Sequence, residues 1–148
     1  MKIQDTLAGV SRIFLDTAPV VYFVEEHPIF LPMVEPFFDA IDQGGLLGLV
    51  GPVTLAECLV MPFRNQQAGL QGQFIDLLTN SEGIESTGID EQTGILAGRL
   101  RASYNLRLPD ALQVATAIVA GCEAFLTNDQ MLRRVTELNV LVLTDLEI

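Results

Sequence analysis

Four acidic residues of this sequence lie where strand-like segments end or helix-like segments begin, and their type points to metal-assisted chemistry. They are Asp16 at the end of RIFLD, Glu57 within VTLAECLV, Asp110 near the start of PDALQVATAIVAG, and Asp129 at the end of EAFLTND. In open α/β sheets, ligands bind outside the carboxyl ends of strands, and helix N-termini face the same edge. Carboxylates gathered there repel one another unless a cation joins them. The pattern therefore predicts a divalent-cation site.

Other kinds of catalytic site lose support because the residues that they need are missing. The only histidine, His27, stands before Pro28 and after two glutamates, which is typical of a surface turn. Acylation by Ser or Cys lacks a base, and no GxSxG, Walker or GxGxxG motif is present. Cys58 and Cys122 are isolated among apolar residues and are predicted to be buried thiols. The remaining oxygen ligands favour Mg²⁺ or Mn²⁺.

Two of the acids also have a purely structural explanation. Thr54 is a good predicted N-cap, and Glu57 follows three residues later, so Glu57 could simply bond back to the backbone of Thr54. Asp110 lies in a predicted first helical turn, where it could compensate the helix dipole. Gln113 and Thr116 continue a polar stripe at intervals of three along this otherwise apolar helix, which leaves the dipole explanation incomplete.

The apolar patterns predict a regular alternation of strands and helices. The predicted strands cover residues 12–16, 46–53, 84–87, 123–127 and 140–143. The predicted helices cover 19–26, 31–44, 54–61, 66–79, 90–104, 109–121 and 130–137, with Pro19 opening the first and Pro62 ending the third. The order β-α-α-β-α-α-β-α-α-β-α-β predicts an α/β fold: a three-layer α/β/α domain, spanning residues 1–148, with a central parallel sheet.

The composition is apolar and acidic. The hydrophobic fraction is 49%, the mean hydropathy is +0.38 and the net charge is −11. The apolar excess predicts a large core or a partner-covered surface, and no segment is predicted to span a membrane. The N-terminus lacks the pattern of a signal peptide, so a cytoplasmic location is expected. Lys2 is the only lysine, and three of the seven arginines, Arg99, Arg101 and Arg107, lie just before Asp110; they could contact phosphate or simply be solvated.

Four segments carry a family resemblance: IFLDTAPVVYF, VTLAECLV, LPDALQVATAIVAGCEAFLTND and LNVLVL. In the third, an aspartate opens an alanine-rich buried helix and the following strand ends in Thr-Asn-Asp. With these segments in this order, the sequence resembles a PIN-domain ribonuclease, and most closely the VapC-like toxins of prokaryotic toxin–antitoxin pairs. The resemblance extends over nearly the whole chain.

The resemblance implies a metal-dependent endoribonuclease, the toxin of a type II toxin–antitoxin pair, that leaves a 5′-phosphate and a 3′-hydroxyl. One or two Mg²⁺ or Mn²⁺ ions would be held by Asp16, Glu57, Asp110 and Asp129, which are also the expected catalytic residues. The expected substrate contacts are Thr17, Arg107, Thr127 and Asn128. The implied partners are an RNA substrate, a small antitoxin protein that blocks the site, and a second copy of the chain. The dimer interface is expected around Val20 to Phe38.

Two rival functions remain open. Phosphoryl-transfer domains of receiver or haloacid-dehalogenase type also place acids at strand ends. A receiver needs a late lysine, and none follows Lys2, whereas a dehalogenase-type site needs a second aspartate where this chain has Ala18. The other rival is a degenerate PIN domain that is retained as a protein-binding module.

Overall fold

The chain folds around a five-stranded parallel sheet with helices on both faces. The structure is a computed structural model and describes residues Met1–Ile148. The strands are β1 (Arg12–Leu15), β2 (Leu47–Val50), β3 (Ile84–Ser86), β4 (Ala124–Thr127) and β5 (Asn139–Val142). The helices are α1 (Ile3–Leu7), α2 (Thr17–Val24), α3 (Leu31–Asp42), α4 (Pro52–Arg64), α5 (Ala68–Asn80), α6 (Glu91–Tyr104) and α7 (Leu108–Val119), with two 3₁₀ helices at Gln130–Arg134 and Leu143–Asp145. The predicted three-layer α/β/α fold is confirmed.

The strand order creates a crevice at the centre of the sheet. The strands lie in the order β3-β2-β1-β4-β5 and all pairs are parallel. The chain first builds outward from β1 to β3, and then returns to the other side of β1 to build β4 and β5. The direction of winding therefore reverses between β1 and β4. Such a reversal opens a ligand-binding crevice outside the carboxyl ends of the two strands.

The two faces of the sheet bury separate apolar clusters. Ile13 and Leu15 of β1 lie in the cluster beneath α2 to α5, whereas Phe14 between them lies in the cluster beneath α6 and α7. Phe14 stacks on Phe125 of β4, with ring centroids 5.3 Å apart. Because both faces are covered, these central strands are apolar at successive positions rather than alternating with polar residues. This packing holds the ends of β1 and β4 side by side.

Several predicted helix boundaries differ from the observed ones by two or three residues, and α2 and α4 show why. Helix α2 begins at Thr17 rather than at Pro19, because the Asp16 carboxylate accepts a hydrogen bond from the Thr17 backbone N–H and caps the helix. Helix α4 begins at Pro52, two residues before Thr54, and continues to Arg64. It passes through Pro62 because this proline lies in the last turn, where its missing N–H removes only one helical hydrogen bond.

The two ends of the chain also differ from the prediction. Helix α1 was not predicted, and Lys2 beside it forms a parallel bridge with Glu147. The predicted helix over 130–137 is a shorter 3₁₀ helix, Gln130–Arg134. Strands β1 to β4 are one to four residues shorter than predicted, and β5 has the predicted length but begins and ends one residue earlier; β2, for example, ends at Val50 since Pro52 already opens α4. None of the helices combines the length and the apolar character needed to cross a bilayer.

Candidate active site

A pocket of about 500 Å³ lies at the crevice between the ends of β1 and β4. Its lining consists of eleven residues: Asp16, Thr17, Ala18, Val21, Tyr22, Glu57, Arg107, Asp110, Thr127, Asn128 and Asp129. All eight residues that the sequence predicts as catalytic or substrate-binding are among them. The fold therefore brings onto one surface residues that come from α2, α4, α7 and the loops after β1 and β4.

Asp16 is the most buried acid of the pocket, together with Asp110; each is 8% exposed. It follows β1 directly, and its Oδ2 accepts a hydrogen bond from the Thr127 hydroxyl at 2.7 Å. Its Oδ1 accepts from the Thr17 backbone N–H and from Gln113 Nε2, both at 2.8 Å. These three donors fix the orientation of the carboxylate.

The pKa of Asp16 is raised to about 6, and burial is the main cause. Hydrogen bonds from Thr127 and Thr17 oppose this shift because they favour the ionised form. The nearby carboxylates of Asp110 and Glu57 add to the shift by repulsion. No cationic side chain forms a salt bridge with Asp16. The ionised carboxylate is thus a buried negative charge that a bound cation would stabilise.

Glu57 faces the pocket from α4 and does not form the capping box that its spacing suggested. Thr54 is the third residue of α4 rather than its N-cap, and its hydroxyl accepts from the Gly51 backbone N–H at 3.4 Å. The Glu57 carboxylate instead accepts a hydrogen bond from the Thr17 hydroxyl at 2.8 Å, across 40 residues of sequence. The structural explanation of Glu57 is therefore wrong.

Asp110 lies in the first turn of α7, as predicted, but a dipole interaction is not its only contact. Arg107, the N-cap residue of α7, pairs with it through Nε to Oδ2 at 3.1 Å and Nη2 to Oδ1 at 3.4 Å. The Arg107 side chain is 74% exposed, whereas that of Asp110 is 11% exposed. Arg107 is the only cationic residue in the pocket lining.

The loop after β4 carries the remaining predicted residues. Thr127 is fully buried, and its hydroxyl accepts the Asp129 backbone N–H at 3.0 Å while it donates to Asp16. The Asp129 carboxylate accepts the Met131 backbone N–H at 2.9 Å. Asn128 donates to the Tyr22 hydroxyl at 3.0 Å, and its own side-chain oxygen is buried without a hydrogen-bond partner.

Three residues that support the site were not predicted as part of it. Gln113 is 1% exposed and connects Asp16 to Thr54, whose hydroxyl donates to Gln113 Oε1 at 2.5 Å. The sequence does contain a signal for this role, since Gln113 is a polar residue in the middle of an apolar helix. Tyr22, which binds Asn128 and stacks on Phe30 with centroids 4.7 Å apart, had no sign in the local sequence.

The donor atoms of the pocket suit a hard divalent cation. The four acids and the hydroxyls of Thr17 and Thr127 offer oxygen alone. Glu57 and Asp129 each retain one carboxylate oxygen without a hydrogen bond. Cys58 is not in the lining, and burial raises its pKa to about 12, which disfavours thiolate ligation. No three of the acids converge closely enough to form a metal shell as they stand, so a cation would have to draw their side chains together.

Comparison with known protein families identifies one match. The sequence model of the PIN domain matches residues 13–138, a range that includes every residue of the pocket lining. A comparison with curated proteins finds no match.

Solved structures with the same fold include components of bacterial toxin–antitoxin systems. The structure of VapBC2 from Rickettsia felis bound to a promoter DNA fragment has a TM-score of 0.72 and 17% identity to this chain. The alignment covers 88% of this chain and 98% of the chain from that structure. A toxin–antitoxin complex from Klebsiella pneumoniae has a TM-score of 0.68 and 17% identity over 88% and 97%. VapC20 from Mycobacterium tuberculosis, a sarcin–ricin loop cleaving toxin, has a TM-score of 0.64 and 11% identity over 76% and 86%. At such identities the likeness concerns the fold.

Proposed function

This chain belongs to the PIN domain family, and from that premise we propose that it is a divalent-metal-dependent endoribonuclease, the toxin of a toxin–antitoxin pair. The observation that carries the proposal is the pocket at the switch point of the sheet, where four acids from distant parts of the chain line one crevice. A cluster of this kind is costly without a cation, since burial and two neighbouring carboxylates already raise the pKa of Asp16 to about 6.

Each lining residue has a role in this proposal. Asp16 and Asp110 are the direct ligands with the least solvent around them, and Glu57 and Asp129 complete the set with their free oxygens. The hydroxyl of Thr127 orients Asp16, and that of Thr17 orients Glu57. Mg²⁺ or Mn²⁺, when bound, supplies electrostatic stabilisation of the phosphoryl charge and activates the attacking water.

Substrate contacts belong to the rim of the pocket. Arg107 is exposed there and has the planar donor fork that suits a phosphate. Asn128 is half-buried in the pocket lining next to the acids and offers an additional polar contact for RNA. The family resemblance implies that hydrolysis leaves a 5′-phosphate and a 3′-hydroxyl.

An antitoxin partner is supported by a second groove, distinct from the pocket. It has a volume of about 510 Å³, lies among α2, α3 and α5, and has an apolar floor that includes Phe23, Leu31 and Leu77. Its rim carries four acids and no lysine or arginine: Glu26, Glu35, Asp39 and Asp76. Such a groove is complementary to a basic amphipathic helix. The solved structures with this fold include toxin–antitoxin complexes, which agrees with a partner of that kind.

The test is cleavage of single-stranded RNA by the purified protein with Mn²⁺, with Mg²⁺ and with EDTA. We expect cleavage that requires the metal, yields 5′-phosphate ends, and is lost in Asp16→Asn and Asp110→Asn. Asp5→Asn is the matched control, because Asp5 is exposed on α1 and outside the pocket. Activity that survives both chelation and Asp110→Asn would refute a metal nuclease. A folded protein without activity that still binds a basic peptide in the α2–α3–α5 groove would instead support the protein-binding alternative.

A further inference from the structure

Arg107 covers both carboxylate oxygens of a proposed metal ligand. Its Nε and Nη2 reach Asp110 Oδ2 and Oδ1 at 3.1 and 3.4 Å, so the guanidinium occupies the face through which a cation would reach this carboxylate. Asp110 has no other hydrogen-bond donor to its side chain. A cation and Arg107 therefore compete for the same two oxygen atoms.

The Arg107 side chain is free to leave. It is 74% exposed and makes no hydrogen bond other than those to Asp110. Nearby arginines differ in this respect: Arg101 donates to the Leu106 carbonyl, and Arg134 donates to the Tyr104 carbonyl at 3.0 Å. An ion pair with one solvent-exposed partner is weak, whereas a divalent cation carries two charges to the same carboxylate. Displacement of Arg107 is thus the expected outcome of metal binding.

A displaced Arg107 remains at the rim of the pocket, since its backbone is held as the N-cap of α7. It is the only positive charge in the lining of a pocket that must accept a polyanion, in a chain of net charge −11. Once released from Asp110, its fork of donors is available to another acceptor, because Arg107 makes no other hydrogen bond. A phosphate of the substrate next to the cation supplies that acceptor.

We propose that Arg107 is an internal plug that occupies Asp110 until a divalent cation displaces it, and that it then binds a backbone phosphate of the RNA. This proposal rests on the proposed nuclease function and adds a binding order to it: the metal binds first, because the residue that binds phosphate becomes available only when the metal is in place. Arg107 acts in it first as a competitor of the metal and then as a substrate-binding residue.

The test measures the affinity for Mn²⁺ by calorimetry, without RNA, in the wild type, Arg107→Gln, Arg107→Lys and Arg99→Gln. Arg99 is exposed on α6, outside the pocket, and controls for the loss of one positive charge. We expect Arg107→Gln to bind Mn²⁺ about two- to fivefold more tightly, the range that a weak ion pair allows, with Arg99→Gln unchanged. Arg107→Lys keeps the positive charge but loses the planar fork of donors, so its affinity for Mn²⁺ should lie between those of the wild type and Arg107→Gln.

A second measurement separates this role from a merely structural one. At saturating Mn²⁺, Arg107→Gln should cleave RNA more slowly than the wild type, even though it binds the metal more tightly. Equal or weaker Mn²⁺ binding by Arg107→Gln would overturn the plug while leaving the nuclease intact. Absence of Mn²⁺ binding in every variant would overturn the plug and the proposed metal site together.

Discussion

Asp16 combines several interactions of the site in one side chain. It caps α2, accepts hydrogen bonds from Thr127 and Gln113, and lies beside the carboxylates of Asp110 and Glu57. The hydrogen bonds stabilise its ionised form, but burial outweighs them and the pKa is raised to about 6. Without a cation, the folded protein therefore holds the proton of Asp16 more tightly than the unfolded chain does.

This imbalance predicts how metal-free stability depends on pH. Since the folded pKa of Asp16 is near 6 and the unfolded value is 3.8, the folded state binds more protons between these values. The free energy of unfolding should consequently fall as the pH rises from 3.8 to about 6, by at most about 3 kcal/mol from this group. In EDTA at neutral pH, Asp16→Asn should be more stable than the wild type by about 1–3 kcal/mol. Urea unfolding at neutral pH and near pH 4 measures both effects.

The control is the same pair of proteins with Mn²⁺ in place of EDTA. The cation should stabilise the wild type by mass action and leave Asp16→Asn nearly unchanged, which reverses the order of stability. A wild type that is more stable than Asp16→Asn in EDTA at neutral pH would contradict the prediction.

Helix α7 is the element that joins the parts of the site. Its first turn presents Asp110 to the pocket, and one turn later Gln113 donates to Asp16 at the end of β1. The same Gln113 accepts from Thr54 in α4, so one buried side chain connects three elements. The helix can carry this polar group because four of its six other buried positions are apolar and hold it in the core.

Gln113→Met tests this connecting role because it preserves side-chain volume but removes both hydrogen-bonding groups. It leaves the hydroxyl proton of Thr54 without an acceptor in the core, although the hydroxyl oxygen still accepts from Gly51, and we expect a loss of about 1–3 kcal/mol in the free energy of unfolding. Metal affinity should also fall, since Asp16 loses a donor that orients it. Denaturant unfolding and Mn²⁺ calorimetry are the measurements.

Thr116→Val is the matched control on the same helix. The Thr116 hydroxyl is buried but donates only to the Leu112 carbonyl of its own helix, at 2.6 Å. Its loss should change stability by less than about 0.5 kcal/mol and leave metal binding alone. Equal effects of the two substitutions would show that Gln113 has no special role.

At the scale of the whole molecule, the homodimer expected around Val20 to Phe38 stays a prediction, and the burial of this segment limits what it can contribute to an interface. Val20, Val34 and Phe37 are fully buried in the intramolecular core, so the segment Val20 to Phe38 cannot offer them to a partner. Ile29 of this segment is 70% exposed, but a larger group of exposed apolar side chains occurs on α4 and its neighbour α5: Val60, Met61, Phe63 and Ile75, which are 40–55% exposed. We propose that these two helices form the dimer interface.

Phe63→Glu should therefore shift the protein from a dimer to a 16.1 kDa monomer while leaving it folded, because the Phe63 side chain is 55% exposed. A buried glutamate in an apolar interface would carry an unpaired charge, which opposes association. Ile95→Glu on α6 is the control, as Ile95 is 62% exposed on another face. Sedimentation velocity distinguishes the species. A monomeric wild type, or a dimeric Phe63→Glu variant, would refute this interface.

The sequence by itself determined the elements and their order, and it identified the acids. Apolar runs marked all five strands, and the segments around Asp16, Glu57, Asp110 and Asp129 carried the family resemblance that the PIN domain match confirms. These features depend on residues that are close in the chain, because backbone preference, periodicity and capping are local. Boundaries were less certain where a tertiary contact or a proline decided them, as at Thr17 and Pro52.

The tertiary structure alone decided how the acids meet. Whether Glu57 caps its own helix or faces the pocket depends on the hydroxyl of Thr17, 40 residues away. The links from Asp16 to Gln113 and Thr127 span 97 and 111 residues, and they exist because β1 lies between β2 and β4. Strand order is set by the packing of whole elements, which leaves no trace in a local pattern. The Arg107–Asp110 pair itself is local, since the two residues are three apart in sequence, but the packing of the strands and helices places this pair in the pocket with the other three acids.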